Sequence, residues 1–245
     1  MAKYTSDNGN FLVASLQIKT LPTYKENLNY LVNYIRNSKA NLIVAPELCL
    51  TNFDYEHFEE AADFYEEAIE KLLTLAPTKI IVFTITKKSD NEFVNQALVM
   101  YDKQIVHRQN KHKLFKLGNE EQYFKAGLEE DIVKFEINSV NYAILICFEL
   151  RFKELWKKVE GADVIIVPAR WGKSRKEHFE TLGRALAIMN QCFVVLSDSS
   201  DDDMASSSAI ISPWGEVYAD DSLESIEKSI ELSDVKRVRR LISMV

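Results

Sequence analysis

The chain has 245 residues, 47% hydrophobic and 27% charged, which supplies enough apolar material for a sizeable globular core and points to one domain spanning 1–245. A formal net charge of −7 at pH 7 counts against a general nucleic-acid binder, which needs a surplus of Lys and Arg to neutralise phosphates. The three cysteines, Cys49, Cys147 and Cys192, have neither the even count of a disulfide framework nor metal-type spacing, so each is free to be a thiol and neither metal nor cofactor is expected.

Met1 to Asn10 is polar and lacks an apolar core followed by a small-residue cleavage site. No apolar run is long enough to cross a bilayer, so a cytoplasmic location and no membrane contact are expected. Phe11 to Ile18 and Asn41 to Ala45 are β-prone runs, and Leu28, Leu31, Val32 and Ile35 recur between them at helical spacing. This is a strand–helix–strand unit. His57 to Leu75 carries an apolar stripe opposite glutamates, Pro77 ends that helix, and Lys79 to Thr86 is the next strand.

Two hairpins follow. Ala97 to Tyr101 turns at Asp102-Lys103 into Ile105 to Arg108, and Ile132 to Ile137 turns at Asn138-Ser139 into Tyr142 to Cys147. A helix starts near Arg151, Asp163 to Pro168 is a buried-type strand, Lys176 to Asn190 a helix, and Cys192 to Ser197 a strand. Asp198 to Ser208 is a polar loop, and Ala209 to Tyr218 is a strand or hairpin around Pro213-Trp214-Gly215. Strands and helices alternating with hairpins imply an α/β protein with helices covering mixed sheets.

Three strand ends carry reactive side chains. Glu47 closes NLIVAPE, Lys111 lies in a basic cluster leading out of a hairpin, and Cys147 follows the apolar run AILI. Alone, each has a bland reading: a solvated or capping carboxylate, a solvated loop, a buried inert thiol. Together they supply a base, a fixed cation and a nucleophile, which is what acyl transfer requires. A thiol at a strand-to-helix junction also lies near helix N-terminal amides, which with Lys111 are expected to favour its thiolate. The scattered His57, His107, His112 and His178 suggest no metal cluster.

These segments, in order, resemble the signature blocks of the nitrilase, or carbon–nitrogen hydrolase, superfamily. Pro46-Glu47 matches its P-E block. Lys111-His112-Lys113-Leu114-Phe115 resembles its K-x-H-L-F block, with Lys113 where His is usual. Cys147-Phe148-Glu149-Leu150-Arg151-Phe152 matches its C-[YF]-[DE]-L-R-F block. Further blocks agree: Glu120 ahead of Tyr123-Phe124-Lys125-Ala126-Gly127, Val167-Pro168-Ala169 with Trp171, Arg184 to Gln191, and Ser208 to Gly215. Arg170-Trp171-Gly172 stands where many amidase members show Asn-Trp-Pro.

The resemblance implies a four-layer α-β-β-α sandwich, usually dimeric. It also implies hydrolysis of a small amide through a thioester at Cys147, with Glu47 as base and acid, and Lys111 with the Phe148 amide at the oxyanion. Glu120 takes the place of an additional pocket carboxylate. Phe148, Arg151, Arg170 and Trp171 are the candidate substrate contacts, and the third block is similar to that of ω-amidases acting on small carboxylated amides. An N-carbamoyl amide hydrolase is the enzymatic alternative, and a catalytically silent binding or assembly protein of the same fold the non-enzymatic one.

Overall fold

The structure, a computed structural model, describes residues 11–75 and 77–244; the polar start at Met1 to Asn10 lies outside the described residues. The first half runs β1 (Phe11–Leu16), α1 (Tyr24–Asn37), β2 (Leu42–Val44), α2 (Phe58–Leu73), β3 (Ile80–Ser89), β4 (Glu92–Tyr101) and β5 (Gln104–Asn110). A short α3 (Glu120–Tyr123) leads to β6 (Phe135–Ile137), β7 (Val140–Ile144), α4 (Lys153–Lys158), β8 (Val164–Ala169), α5 (Lys176–Asn190) and β9 (Phe193–Asp198). The chain closes with β10 (Ala209–Ile211), β11 (Val217–Ala219), β12 (Ser225–Ile230) and α6 (Ser233–Leu241).

The strands form two six-stranded sheets, ordered β12-β1-β2-β3-β4-β5 and β11-β10-β9-β8-β7-β6. In each, three neighbouring strands are parallel, β1-β2-β3 and β7-β8-β9, and the outer strands are antiparallel. Alternation along the first sheet decides the layering, because successive side chains point to opposite faces. Val13, Leu42, Val44, Val82 and Val99 join the core shared with Ile144, Ile166 and Val195 of the second sheet. Ala14, Ile43, Ile81 and Leu98 face the other way, onto Leu28 and Leu31 of α1 and Ala68 and Leu72 of α2. Phe179, Leu186 and Ala187 of α5 cover the second sheet. The result is the expected four-layer α-β-β-α sandwich. Ser197 Oγ fixes the two sheets to each other by donating to the Leu16 carbonyl at 2.7 Å and the Val44 carbonyl at 3.1 Å.

Local chemistry explains the element ends. Thr23 and Glu26 form a capping box before α1, the Glu26 amide donating to Thr23 Oγ1 at 3.2 Å and the Thr23 amide to Glu26 Oε2 at 3.0 Å. Both expected hairpin turns put two residues in the left-handed region, Asp102 and Lys103 at φ 51° and 58°, Asn138 and Ser139 at φ 52° and 64°, as type I′ turns require. Other boundaries move. β4 starts at Glu92 rather than Ala97, because its polar first half pairs with the exposed end of β3. β7 stops at Ile144, so Cys147 lies beyond the strand and opens a 3-10 turn, Cys147–Arg151, with α4 starting only at Lys153. Among the described residues no helix is long and apolar enough to cross a membrane.

Candidate active site

The C-terminal ends of parallel strands from both sheets meet at one edge. β2 delivers Pro46-Glu47-Leu48, β7 delivers Cys147, and β8 delivers Arg170. Ligand sites form at such ends because loops leave the strands there with their side chains and backbone amides unpaired by the sheet. The Glu47 amide donates to the Ala169 carbonyl at 3.2 Å, and the Leu48 amide to Thr84 Oγ1 at 2.7 Å. This turn is therefore tied to both sheets, with Leu48 held at φ 47°.

Glu47, Lys111 and Glu120 form a buried ionic group. Lys111 Nζ donates to Glu47 Oε1 at 2.8 Å and to Glu120 Oε1 at 2.7 Å, and the Lys111 side chain is 0% exposed. Asn95 Nδ2 donates to the same Glu47 oxygen at 2.8 Å. Glu47 Oε2 is buried with no hydrogen-bond partner in the structure. Glu120 Oε2 accepts the Phe115 amide at 3.1 Å. Burial works against the Lys111 ammonium, but Glu47 and Glu120 more than reverse it and hold the lysine charged above its ordinary range. Burial raises Glu120, with Lys111 opposing.

Cys147 sits beside this group in a strained backbone, at φ 47°, a conformation uncommon for a residue with a Cβ. The turn leaves the sulfur at the wall of a cleft of about 760 Å³ that Glu120, Phe115, Arg170 and Arg175 also line. The expectation of a favoured thiolate is corrected here. Burial and then the Glu47 charge push the thiol well above its ordinary value, and Lys111 and the Arg170 backbone amide offset only part of this. The five-residue 3-10 turn that starts at Cys147 provides little helix dipole. Burial and the neighbouring Glu47 thus favour the protonated form of the Cys147 thiol. Cys49 and Cys192, both buried, are pushed up to about 12 by burial.

The other candidates occupy distinct places. Phe148 lies at the cleft with its ring 5.0 Å from that of Phe115. Trp171 is buried, stacked on Phe179 at 5.0 Å, its amide donating to Asp198 Oδ1 at 2.7 Å. Arg170 lines the cleft, but its guanidinium is engaged: Nη1 donates to Thr20 Oγ1 at 2.9 Å and Nη2 to Asp201 Oδ2. Arg151 lies 4.8 Å over the Trp171 ring, with Nη2 3.0 Å from His178 Nδ1. Among the described residues no group of acidic, His and Cys side chains is arranged to hold a metal.

Sequence reading missed Asn95, Arg175 and the role of Glu149. Asn95 is fully buried in β4, between Val94 and Gln96, and a polar residue at an inward strand position was its signal. Glu149, also fully buried, accepts the Ile146 amide at 2.7 Å through Oε2 and the His112 amide at 2.6 Å through Oε1. It thus joins the nucleophile's turn to the segment carrying Lys111.

Known proteins resemble this chain in sequence and in fold. A carbon–nitrogen hydrolase family model matches residues 12–241. The chain is 32% identical over 217 residues to the 2-oxoglutaramate amidase of Bacillus subtilis (strain 168), covering 83% of each chain. It is 26% identical over 187 residues to omega-amidase YafV of Escherichia coli (strain K12), covering 73% of this chain and 72% of that one. Among solved structures, a carbon–nitrogen hydrolase from Helicobacter pylori G27 superposes with a TM-score of 0.85 at 19% identity, covering 95% of this chain and 93% of that one. Nit3 of Saccharomyces cerevisiae, a member of the nitrilase superfamily, superposes at 0.83 and 19% identity, covering 97% and 96%. With a family model that spans nearly the whole chain and a relative at 32% identity, the chain belongs to the carbon–nitrogen hydrolase family of the nitrilase superfamily.

Proposed function

We propose that the protein is an ω-amidase-like enzyme that hydrolyses the terminal amide of a small carboxylated substrate through a thioester at Cys147. The observation that carries the mechanism is the division of labour on Glu47: Oε1 takes Lys111 and Asn95, and buried Oε2 is left without a partner. An orphaned buried acceptor is costly, and beside a neutral thiol it is the atom suited to take a proton. Cys147 Sγ attacks the amide carbon as its proton passes to Glu47, and the oxyanion is stabilised by Lys111 and the Phe148 amide. Glu47 then protonates the departing ammonia. Water, deprotonated by Glu47, splits the thioester and frees the acid, and Glu47 returns that proton to the departing Cys147 sulfur, so the carboxylate acts twice as base and twice as acid.

Lys111 stays charged throughout, which suits a fixed electrostatic role better than proton shuttling. Glu120 completes its neutralisation and holds it in place. The 2-oxoglutaramate amidase of Bacillus subtilis and the omega-amidase of Escherichia coli, as relatives, support an ω-amide as the substrate class. A homodimer is proposed with it; Ile188 and Met189 of α5 and Trp214 remain exposed on the monomer, and sedimentation velocity checks this.

The test is ammonia release across monoamides of dicarboxylic acids, N-carbamoyl amino acids, neutral amides and nitriles, followed by intact-protein mass of wild-type enzyme quenched in acid during turnover of the best substrate. The expected outcome is preference for the dicarboxylic monoamides, no turnover by Cys147→Ala, and a mass increase on Cys147 equal to the acyl group. Preference for N-carbamoyl compounds would redirect the substrate class, and near wild-type turnover by Cys147→Ala would reject the mechanism.

A further inference from the structure

Three arginines surround the space in front of Cys147, where Arg151, Arg170 and Arg175 line one narrow crevice with the thiol. They differ in what already satisfies them. Arg170 is nearly buried and paired with Asp201 and Thr20. Arg151 is laid on Trp171 and joined to His178. Arg175 is half-buried, its guanidinium 5.2 Å over the Phe115 ring, and its hydrogen bond in the structure is from Nη1 to the neighbouring Ser174 Oγ at 3.2 Å. No ion pair joins it to a carboxylate among the described residues.

A guanidinium has five N–H donors in a planar fork, and a half-buried one with a single weak internal bond leaves most of them for an incoming acceptor. The neighbouring charge strengthens the point. Arg151 is depressed by burial and then by the Arg175 charge, so two cations share this wall without an anion between them. The acids lining the wider cleft do not supply one: Glu120 and Asp201 are paired with Lys111 and Arg170, and Asp203 is exposed at the rim.

The backbone makes room for this position of Arg175. A Cβ on Gly172 would come within 2.6 Å of Arg175 Nη2, so the missing side chain at 172 is what lets the fork lie along the cleft wall.

We propose that Arg175 receives the remote carboxylate of the substrate, and so selects carboxylated over neutral amides; the assignment rests on the ω-amide reading above. A carboxylate held by the fork gains two parallel charge-assisted hydrogen bonds. Arg170 instead braces the loop that carries Asp201.

The test separates binding from turnover. Affinity for succinamate, the monoamide of succinic acid, is measured calorimetrically on Cys147→Ala and on the same protein carrying Arg175→Met, Arg175→Lys or Gly172→Ala. In active enzyme, KM and kcat are measured on succinamate and on butanamide, its neutral analogue. Arg175→Met is expected to weaken succinamate binding roughly 10- to 100-fold and to raise KM far more than it lowers kcat. Arg175→Lys should recover part of the loss. Gly172→Ala, which keeps the charge but displaces the fork, should weaken binding in the same direction. Unchanged affinity and an unchanged succinamate-to-butanamide ratio in Arg175→Met would overturn the assignment. A wild-type enzyme equally active on both amides would reject the ω-amide reading instead. Arg175 would then be judged by binding of glutarate, where loss in Arg175→Met sustains the assignment and no change rejects it.

Discussion

Glu149 Oε2 accepts the backbone amide of Ile146 at 2.7 Å, immediately before the nucleophile, while its other oxygen accepts the His112 amide next to Lys111 at 2.6 Å. One buried carboxylate therefore sets the spacing of two mechanistic groups it does not itself replace. Burial pushes Glu149 up to about 7, with the backbone amides of Ile146, His112 and Lys113 pulling against it. A carboxyl whose folded-state value lies above its ordinary 4.5 binds its proton more tightly folded than unfolded. Its contribution to stability is full below pH 4.5 and is lost as pH rises towards about 7. Glu149→Gln should flatten that part of the stability-against-pH curve, measured by urea unfolding from pH 4 to 8. Its amide NH2 would also oppose a backbone donor, so kcat should fall about 10- to 100-fold through misplacement of Cys147. An unchanged pH slope together with unchanged kcat would remove the positioning role.

Lys111 stands between two buried carboxylates, and deleting its charge leaves Glu47 and Glu120 facing each other without a counterion. Breaking a buried ion pair from one side costs about 3–5 kcal/mol. Lys111→Met should therefore be markedly destabilised in denaturant unfolding as well as inactive. The double variant Lys111→Met with Glu120→Gln should recover stability without recovering turnover. Recovery of both would show that Lys111 only neutralises Glu120.

The parallel strands and long helices were legible because their apolar spacing is set by burial on one or both faces, as in DVIIVP for β8 and the α2 stripe. The C-terminal β12 and α6 escaped notice. β12 alternates buried and exposed residues over only six positions, SIEKSI, and its pairing with β1 is more than 200 residues away in sequence. The three reactive residues could be found because each lies within three residues of a strand end, and a strand end fixes direction as well as position. The acidity of Cys147 was misjudged because desolvation depends on how completely neighbouring segments enclose the sulfur, which the local sequence does not record. Arg175 was missed for a similar reason: Arg151 and Arg170 lie in recognisable blocks, but which arginine is already paired is decided by Asp201 and His178, distant in the chain.

Cys147 is nevertheless expected to be the first cysteine alkylated. It lines the cleft, whereas Cys49 and Cys192 are enclosed and pushed up to about 12. Because its thiol is also raised, the reaction should be slow at neutral pH and accelerate as pH rises, without the neutral plateau of a preformed thiolate. Iodoacetamide labelling followed by peptide mass mapping reads this. Early modification of Cys192 with Cys147 untouched would remove the nucleophile assignment.

Gly127 closes the last prediction on the segment that holds Lys111. Its amide donates to the Lys111 carbonyl at 2.8 Å, and its carbonyl lies 2.9 Å from His112 Nδ1. A Cβ at this position would fall 2.4 Å from the Asn110 carbonyl oxygen and 2.8 Å from its carbon. Those are backbone atoms at the end of β5, paired with β4, and they cannot swing aside as a side chain can. Gly127→Ala must therefore push two backbones apart exactly where Lys111 leaves the sheet, at a cost of about 1–3 kcal/mol. The displacement would lengthen the Lys111 contacts to Glu47 and Glu120, so kcat should drop more than substrate affinity does. Gly118→Ala is the matched control, since its Cβ would meet only the Phe115 ring at 3.1 Å. Denaturant unfolding and steady-state kinetics on both variants decide the matter: equal stability and equal kcat in Gly127→Ala and wild type would show that the Asn110–Gly127 approach plays no part in placing Lys111.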